Sequence, residues 1–349
     1  MNGNIKNILL VRTDRIGDVV LTLPLAGLIK KHYPNAKVSF LVRNYTKDIL
    51  INHPLVDEIV VLDEEKGSAK IFSNLELISE KKYDACIIVN PTFKISLILF
   101  LSGIRKRIGT GYRWYSLLFN EKVFEHRKYA EKHELEFNVS MLKKIGIDES
   151  INENNVEYNL KLDNESLIYV NKVLGDENID PAKPLIIIHP GSGGSSIDLP
   201  ITKFVELIQK LNQEEVQIVT TGSNEEKEIC SQLVLSKSIK NFAGKFSLAQ
   251  LTALISKANV FISNSTGPIH IAAALGKFTV GFYPKILSCS LERWGPYSPN
   301  KLVYVPEIDC SNCDRQQCEN LNCMESIEIE KVFSDIKKVL AKIKEMELR

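Results

Sequence analysis

Short apolar runs alternate along this chain with longer segments in which apolar residues recur every three or four positions. The runs are brief and rich in β-branched residues, which predicts strands buried on both faces of a parallel sheet; the longer segments predict helices packed against it. The pattern places strands at residues 5–11, 37–42, 58–62 and 84–89. Helices are predicted for about 15 residues from Val19, at 68–81, at 92–101 and from Lys132 to about Lys144. Near residues 163–184 a charged helix gives way to Gly175, Asp176, Glu177, Asn178, Asp180, Pro181 and Pro184, the composition of an interdomain linker. The alternation then resumes with strands at 185–188, 216–220, 260–262 and 278–282 and helices at 202–211, 224–235, 248–256 and 329–347. The chain is therefore expected to be α/β, with two doubly wound domains at 1–165 and 180–325. Residues 326–349 form a helix charged on one face and expected to return toward the first domain. The cleft between two such domains is the expected active site.

The stretch 258–284 reads A-N-V-F-I-S-N-S-T-G-P-I-H-I-A-A-A-L-G-K-F-T-V-G-F-Y-P and makes one strand–helix–strand unit. Ser265 or Thr266 supplies an N-cap oxygen, Pro268 suits the first turn and Gly276 ends the helix. Ligands of parallel sheets bind at the carboxyl ends of strands, where helix N-termini offer free N–H groups to anions. Asn264, Ser265, Thr266, Gly267 and His270 fall at that end and could converge on a diphosphate. A plain capped helix, whose Ala272, Ala273 and Ala274 allow close packing, accounts for the same residues.

Other strand ends carry candidates of the same kind. Gly191, Ser192, Gly193, Gly194, Ser195 and Ser196 make a flexible loop with hydroxyl donors suited to phosphate, and Thr221 closes another strand. The first strand runs into Arg12-Thr13-Asp14-Arg15-Ile16-Gly17-Asp18. Asp18, at the positive end of a helix, either caps that helix or stays ionised to accept a proton. Residues 104–114 hold Arg105, Lys106, Arg107 and Arg113 with no acid, interleaved with Tyr112 and Trp114. They read as a solvated loop, or as a contact for an anionic sugar or phosphorylated lipid head group. Asn138 is placed to face the cleft.

Net charge of +1 gives no sign of a nucleic-acid partner, and no apolar stretch approaches the roughly 20 residues of a membrane span, which predicts a cytoplasmic protein. Cys310, Cys313, Cys318 and Cys323 cluster, a candidate structural zinc or iron site against reduced or paired thiols.

The stretches I-L-L-V-R-T-D-R-I-G-D-V-V-L-T-L-P, R-I-G at Arg107, Lys132-His133-Glu134 through Asn138, H-P-G-S-G-G, S-N-S-T-G-P-I-H-I-A-A-A-L-G and the late cysteines, taken in order, resemble the bacterial lipopolysaccharide heptosyltransferases, glycosyltransferase family 9. That resemblance implies a GT-B fold: two Rossmann-like domains, the first for the acceptor and the second for a nucleotide-sugar donor, usually ADP-heptose. It implies inverting transfer that needs no cofactor or catalytic metal, in keeping with the absence of any Asp-x-Asp. Asp18 resembles the family's general base. The loop 191–196 with Thr221 and Asn264 to Gly267 and His270 resembles the donor site, and Arg15, Arg107, Arg113 and Asn138 are acceptor candidates. The implied acceptor is the lipopolysaccharide inner core or a related surface glycan, reached from the inner face of the cytoplasmic membrane by peripheral contact. A protein heptosyltransferase acting on an adhesin and a non-catalytic nucleotide-sugar-binding protein are the alternatives. Two positions depart from the family pattern: Ile197 lies where many members carry a loop Lys, and Ser265 where many carry a carboxylate.

Overall fold

The structure is a computed structural model that describes residues 5–308 and 313–347. The chain divides into two compact units, Met1–Arg127 with Lys132–Lys161, and Lys128–Glu131 with Leu162–Arg349.

In the first unit, strands β1 (Asn7–Val11), β2 (Lys37–Val42), β3 (Glu58–Val61), β4 (Ala85–Ile88), β5 (Lys106–Thr110) and β6 (Glu121–Val123) form one parallel sheet in the order β3-β2-β1-β4-β5-β6. Its helices are α1 (Ile16–Val20), α2 (Pro24–His32), α3 (Ile71–Ser79), α4 (Phe93–Leu101) and α5 (Glu134–Ser140). The order reverses between β1 and β4, so the turn after β1 opens at a topological switch point.

The second unit repeats this plan with β7 (Leu185–His189), β8 (Gln217–Thr220), β9 (Lys240–Asn241), β10 (Val260–Asn264), β11 (Phe278–Phe282) and β12 (Lys301–Tyr304), ordered β9-β8-β7-β10-β11-β12 and all parallel. Helices α6 (Asn164–Asp176), α7 (Ile201–Leu211), α8 (Lys227–Ser231), α9 (Leu248–Ile255) and α10 (Gly267–Ala274) accompany it. The loop after β7 and the start of α10 after β10 share its switch point. Ile8, Leu9, Leu10, Ile186, Ile187, Ile188, Val260, Phe261 and Ile262 are completely buried. Burial of consecutive residues is what a parallel strand covered on both faces requires.

Several elements differ from the pattern's prediction. The single helix after β1 is two, because Pro24 has no N–H to continue α1; Leu21, Leu23 and Leu25 bond back to Gly17, Val20 and Thr22 through the break. Residues 106–110 are not loop but the strand β5, paired with β4 through Ile108 and with β6. The helix expected at 224–235 shrinks to α8, and Ser68–Ala69 joins a two-residue ribbon ahead of α3. The terminal helix Ile329–Glu347 buries Val332, Ile336, Val339 and Leu340 among Phe204, Leu207, Ile208 and Leu211 of α7. Its apolar stripe is therefore used within its own unit. Its charged face pairs Lys337 with Glu214 at 2.8 Å and Lys344 with Glu215 at 2.9 Å.

Ile336→Ala is expected to cost about 2–5 kcal/mol by cavity formation, read as a lower urea midpoint for the second unit. Lys337→Ala, which removes an exposed pair with Glu214 and a contact with the Phe333 ring, is expected to change it by only about 1 kcal/mol.

Candidate functional site

At the carboxyl end of β1 the Arg12 amide donates to the Leu41 carbonyl, so the ladder carries the Arg12 side chain inward, where it is 2% exposed. Its guanidinium donates from Nε to Asp14 Oδ1 at 2.7 Å, from Nη1 to Glu134 Oε1 at 3.2 Å and from Nη2 to Asp18 Oδ1. Burial opposes the charge on Arg12, but the three carboxylates outweigh it and Arg12 stays charged. Asp18 is buried in the first turn of α1, whose cap position belongs to Arg15 with no side-chain bond. Asp18 is thus not the helix cap. Burial pushes its carboxyl up to about 7; Arg12 pulls the other way, while Asp14 and Glu134 add to the rise. A carboxylate with that proton affinity, held beside a helix N-terminus at a switch point, is equipped to accept a proton.

The acceptor candidates separate into two kinds. Arg15 and Arg113 are exposed. Arg107 donates from Nε to the Leu118 carbonyl at 2.8 Å and from Nη1 to the Ile104 carbonyl, and lies 5.1 Å from the centre of the Phe100 ring. Asn138 is fully buried, donating to the Leu21 carbonyl at 3.0 Å and accepting from Arg127 at 3.1 Å. Arg107 and Asn138 therefore hold elements of the first unit together.

In the second unit Gly193 and Gly194 adopt φ of 55° and 74°, the left-handed region that favours glycine. The turn is closed by Ser195, whose Oγ donates to the Ser192 carbonyl at 2.8 Å and to the Ser265 carbonyl at 3.0 Å. Asn264, completely buried, accepts from the Leu199 amide at 2.8 Å and donates to the Pro190 carbonyl at 2.5 Å. It ties the loop after β7 to the strand end of β10. Thr221 is likewise buried, its hydroxyl 3.0 Å from His189 Nδ1. Burial lowers the pKa of His189, which favours the neutral ring.

Thr266 occupies the cap position of α10 with extended backbone, yet its hydroxyl makes no cap bond, contrary to expectation. The N–H groups of the first turn stay available to an anion beside buried His270. Gly276 ends the helix with φ of 69°, as its sequence position predicts.

Sequence reasoning missed two residues here. Glu226 accepts from the Gly193 amide at 3.3 Å and the Ser223 amide at 2.7 Å, and a Cβ at Gly191 would come within 1.8 Å of its Oε1. Gly191 is glycine to admit that carboxylate. Arg315 donates to the Ser196 carbonyl at 3.0 Å, bringing a cation to a loop in which Ile197 supplies none. Ile197 instead packs into the core. Nothing in the spacing of either residue signals its partner.

Cys310 lies outside the described residues. Buried Cys318 and Cys323 pack with Ile286, Cys289, Ile308, Ile197 and Cys313 in an apolar cluster. Among the described residues no three His, Cys, Asp or Glu side chains gather as metal ligands, so the expected zinc or iron site finds no support. No helix among them is long and apolar enough to cross a membrane.

The profile of glycosyltransferase family 9 (heptosyltransferase) matches residues 71–324. A putative glycosyltransferase of Haemophilus influenzae is 26% identical over 298 residues, covering 83% of this chain and 86% of that protein. The lipopolysaccharide core heptosyltransferase OpsX of the same organism is 23% identical over 353 residues, covering 96% and 97%. The structure of the Escherichia coli ADP-heptose lipopolysaccharide heptosyltransferase II aligns with a TM-score of 0.78 over 97% of this chain and 99% of that one, at 20% identity. The two doubly wound units are those of a GT-B fold.

Asn264→Ala leaves the Leu199 amide and the Pro190 carbonyl without partners, at about 1–3 kcal/mol each. Urea unfolding should show that loss, and Asn264→Asp, which keeps an acceptor for Leu199 but repels Pro190, should not restore full stability.

Proposed function

Since the chain belongs to glycosyltransferase family 9, we propose that this glycosyltransferase moves heptose from ADP-heptose to the inner core of a lipopolysaccharide or a related surface glycan, with inversion and without a metal. The observation that carries the chemistry is the buried Asp18 carboxyl, pushed up to about 7 at the first helix of the acceptor unit. The donor and acceptor names come from relatives: OpsX is a lipopolysaccharide core heptosyltransferase, and the E. coli structure is of an ADP-heptose enzyme.

In this reading Asp18 Oδ1 is held by Arg12, and Oδ2 removes the proton from an acceptor hydroxyl. The hydroxyl oxygen forms a bond to the anomeric carbon from the face opposite the diphosphate. The bond from that carbon to the diphosphate oxygen breaks, and ADP leaves with the electron pair. The departing negative charge is met by the loop 191–196, by the α10 N-terminus at Thr266 and Gly267, by His270 and by Arg315. Arg15 and Arg113, exposed in the first unit, are the cations offered to an anionic acceptor. On this reading the transfer takes place in the cytoplasm at the membrane surface, a reading supported by Trp114, 74% exposed, and Leu117, 71% exposed, near Arg113.

Asp18→Asn is expected to lower transfer to a deacylated core acceptor by about 10²–10⁴-fold while ADP affinity by calorimetry stays within about two-fold. Transfer undiminished in that variant would remove Asp18 from the base role, and tighter binding of UDP than ADP would sink the heptose assignment. In the active enzyme the ionised form is the working form, so kcat/KM should fall as pH drops through about 7, tenfold per unit below it.

A further inference from the structure

A closed ring of hydrogen bonds surrounds Asp18. Arg12 Nη2 donates to Asp18 and Nη1 to Glu134; Arg127 Nη1 donates to both Glu134 and Asn138 Oδ1. Asn138 Nδ2 reaches Thr22 Oγ1 at 3.4 Å, and Thr22 donates to the Asp18 carbonyl at 2.8 Å. The ring joins the end of β1, helix α1, the segment before α5 and α5 itself. Its capping residue His133 starts α5 by accepting the Leu135 amide on Nδ1, which turns Glu134 inward, where it is 1% exposed.

The charges in the ring do not balance. Two guanidinium groups, Arg12 and Arg127, face the three carboxylates of Asp14, Asp18 and Glu134, a net charge of −1. Around these five side chains Asn90 donates to Asp14, Tyr45 donates its hydroxyl to the Asp14 carbonyl, Arg43 is paired with Glu64, and Arg15 is exposed. One proton makes the five together neutral. A carboxylate that shares its only cation with a rival carboxylate is screened less than one with a cation of its own.

We propose that Glu134 is a positioning residue for the transfer, competing with Asp18 for the Arg12 guanidinium so that Asp18 is both oriented by the ring and left as the member that takes the proton. This rests on the reading of Asp18 as base. Removing the charge of Glu134 hands Arg12 to Asp18 and weakens it as a base; removing the charge of Arg127 frees Glu134 to bind Arg12 more fully and strengthens Asp18 as a base.

The test is a titration by carboxyl-carbon NMR of the full chain labelled at aspartate, with Asp18 assigned through Asp18→Asn, followed by the pH dependence of kcat/KM for the same proteins. Glu134→Gln is expected to lower the Asp18 midpoint, and the acid limb of kcat/KM with it, by about one unit; Arg127→Gln is expected to raise both. Midpoints unmoved in both variants, with rates lowered equally at every pH, would overturn the proposal. Because the two variants act in opposite directions, either one that folds, judged by circular dichroism, decides it. If Asp18→Asn keeps full transfer, the base reading fails, while the NMR midpoints still report whether Glu134 competes for Arg12.

Discussion

A parallel strand covered on both faces has no room along its length for charge or for flexible backbone, so polar residues of such a sheet collect where strands end. In this chain the constraint operates twice. The carboxyl end of β1 delivers Arg12 and Asp18, and the carboxyl ends of β7 and β10 deliver the loop 190–196 and the start of α10. Both places are switch points, where neighbouring crossovers diverge and leave the strand ends uncovered. The two units share a strand order, and the chemistry that each supports comes from what its strand ends carry.

The ends differ in how they handle charge. In the first unit the ionised groups are side chains, buried or half-buried and mutually paired, with three carboxylates on two guanidinium groups. Such a cluster is a place for a proton. In the second unit the loop offers backbone amides and hydroxyls, held in shape by Asn264 and Ser195 and by glycines at positive φ. Fixed dipoles of this kind suit a diphosphate, because they need no reorientation as charge develops. Glu226 occupies one loop amide, that of Gly193, and the Ser223 amide after β8, while Arg315 reaches the loop at the Ser196 carbonyl.

The central strands were legible because their apolar runs are continuous, and β11 at Phe278–Phe282 was placed to the residue. Strands of mixed composition were not. Lys106–Thr110, inside the first sheet, and Lys301–Tyr304, at the edge of the second, combine charged and apolar residues, and a stretch such as K-R-I-G-T reads as a basic loop. For the site, residue type and position relative to a strand end offered Asp18 and the glycine-rich loop as candidates, whose roles came from the family resemblance. They could not tell a residue that faces outward from one that binds backbone: Arg107 and Asn138 carry the right groups, but their partners at Leu118, Ile104, Leu21 and Arg127 are set by tertiary packing. Asp18 had two readings for the same reason. What sets its carboxyl apart from a cap is burial beside Arg12 and Glu134, and Glu134 is more than a hundred positions away.

That separation has a physical consequence for how the base can be built. A carboxylate whose proton affinity rose by burial alone would depend on the packing of its immediate neighbours, and a small rearrangement that admitted water would return it to the ordinary range. Here part of the rise comes from like charge, with Asp14 and Glu134 fixed to the same guanidinium as Asp18. Because Arg12 holds all three, the carboxylates cannot move apart without giving up hydrogen bonds in a buried place, where each loss is expensive. The repulsion is thus maintained by the attraction, and the sheet end that fixes Arg12 through Leu41 also fixes the basicity of Asp18.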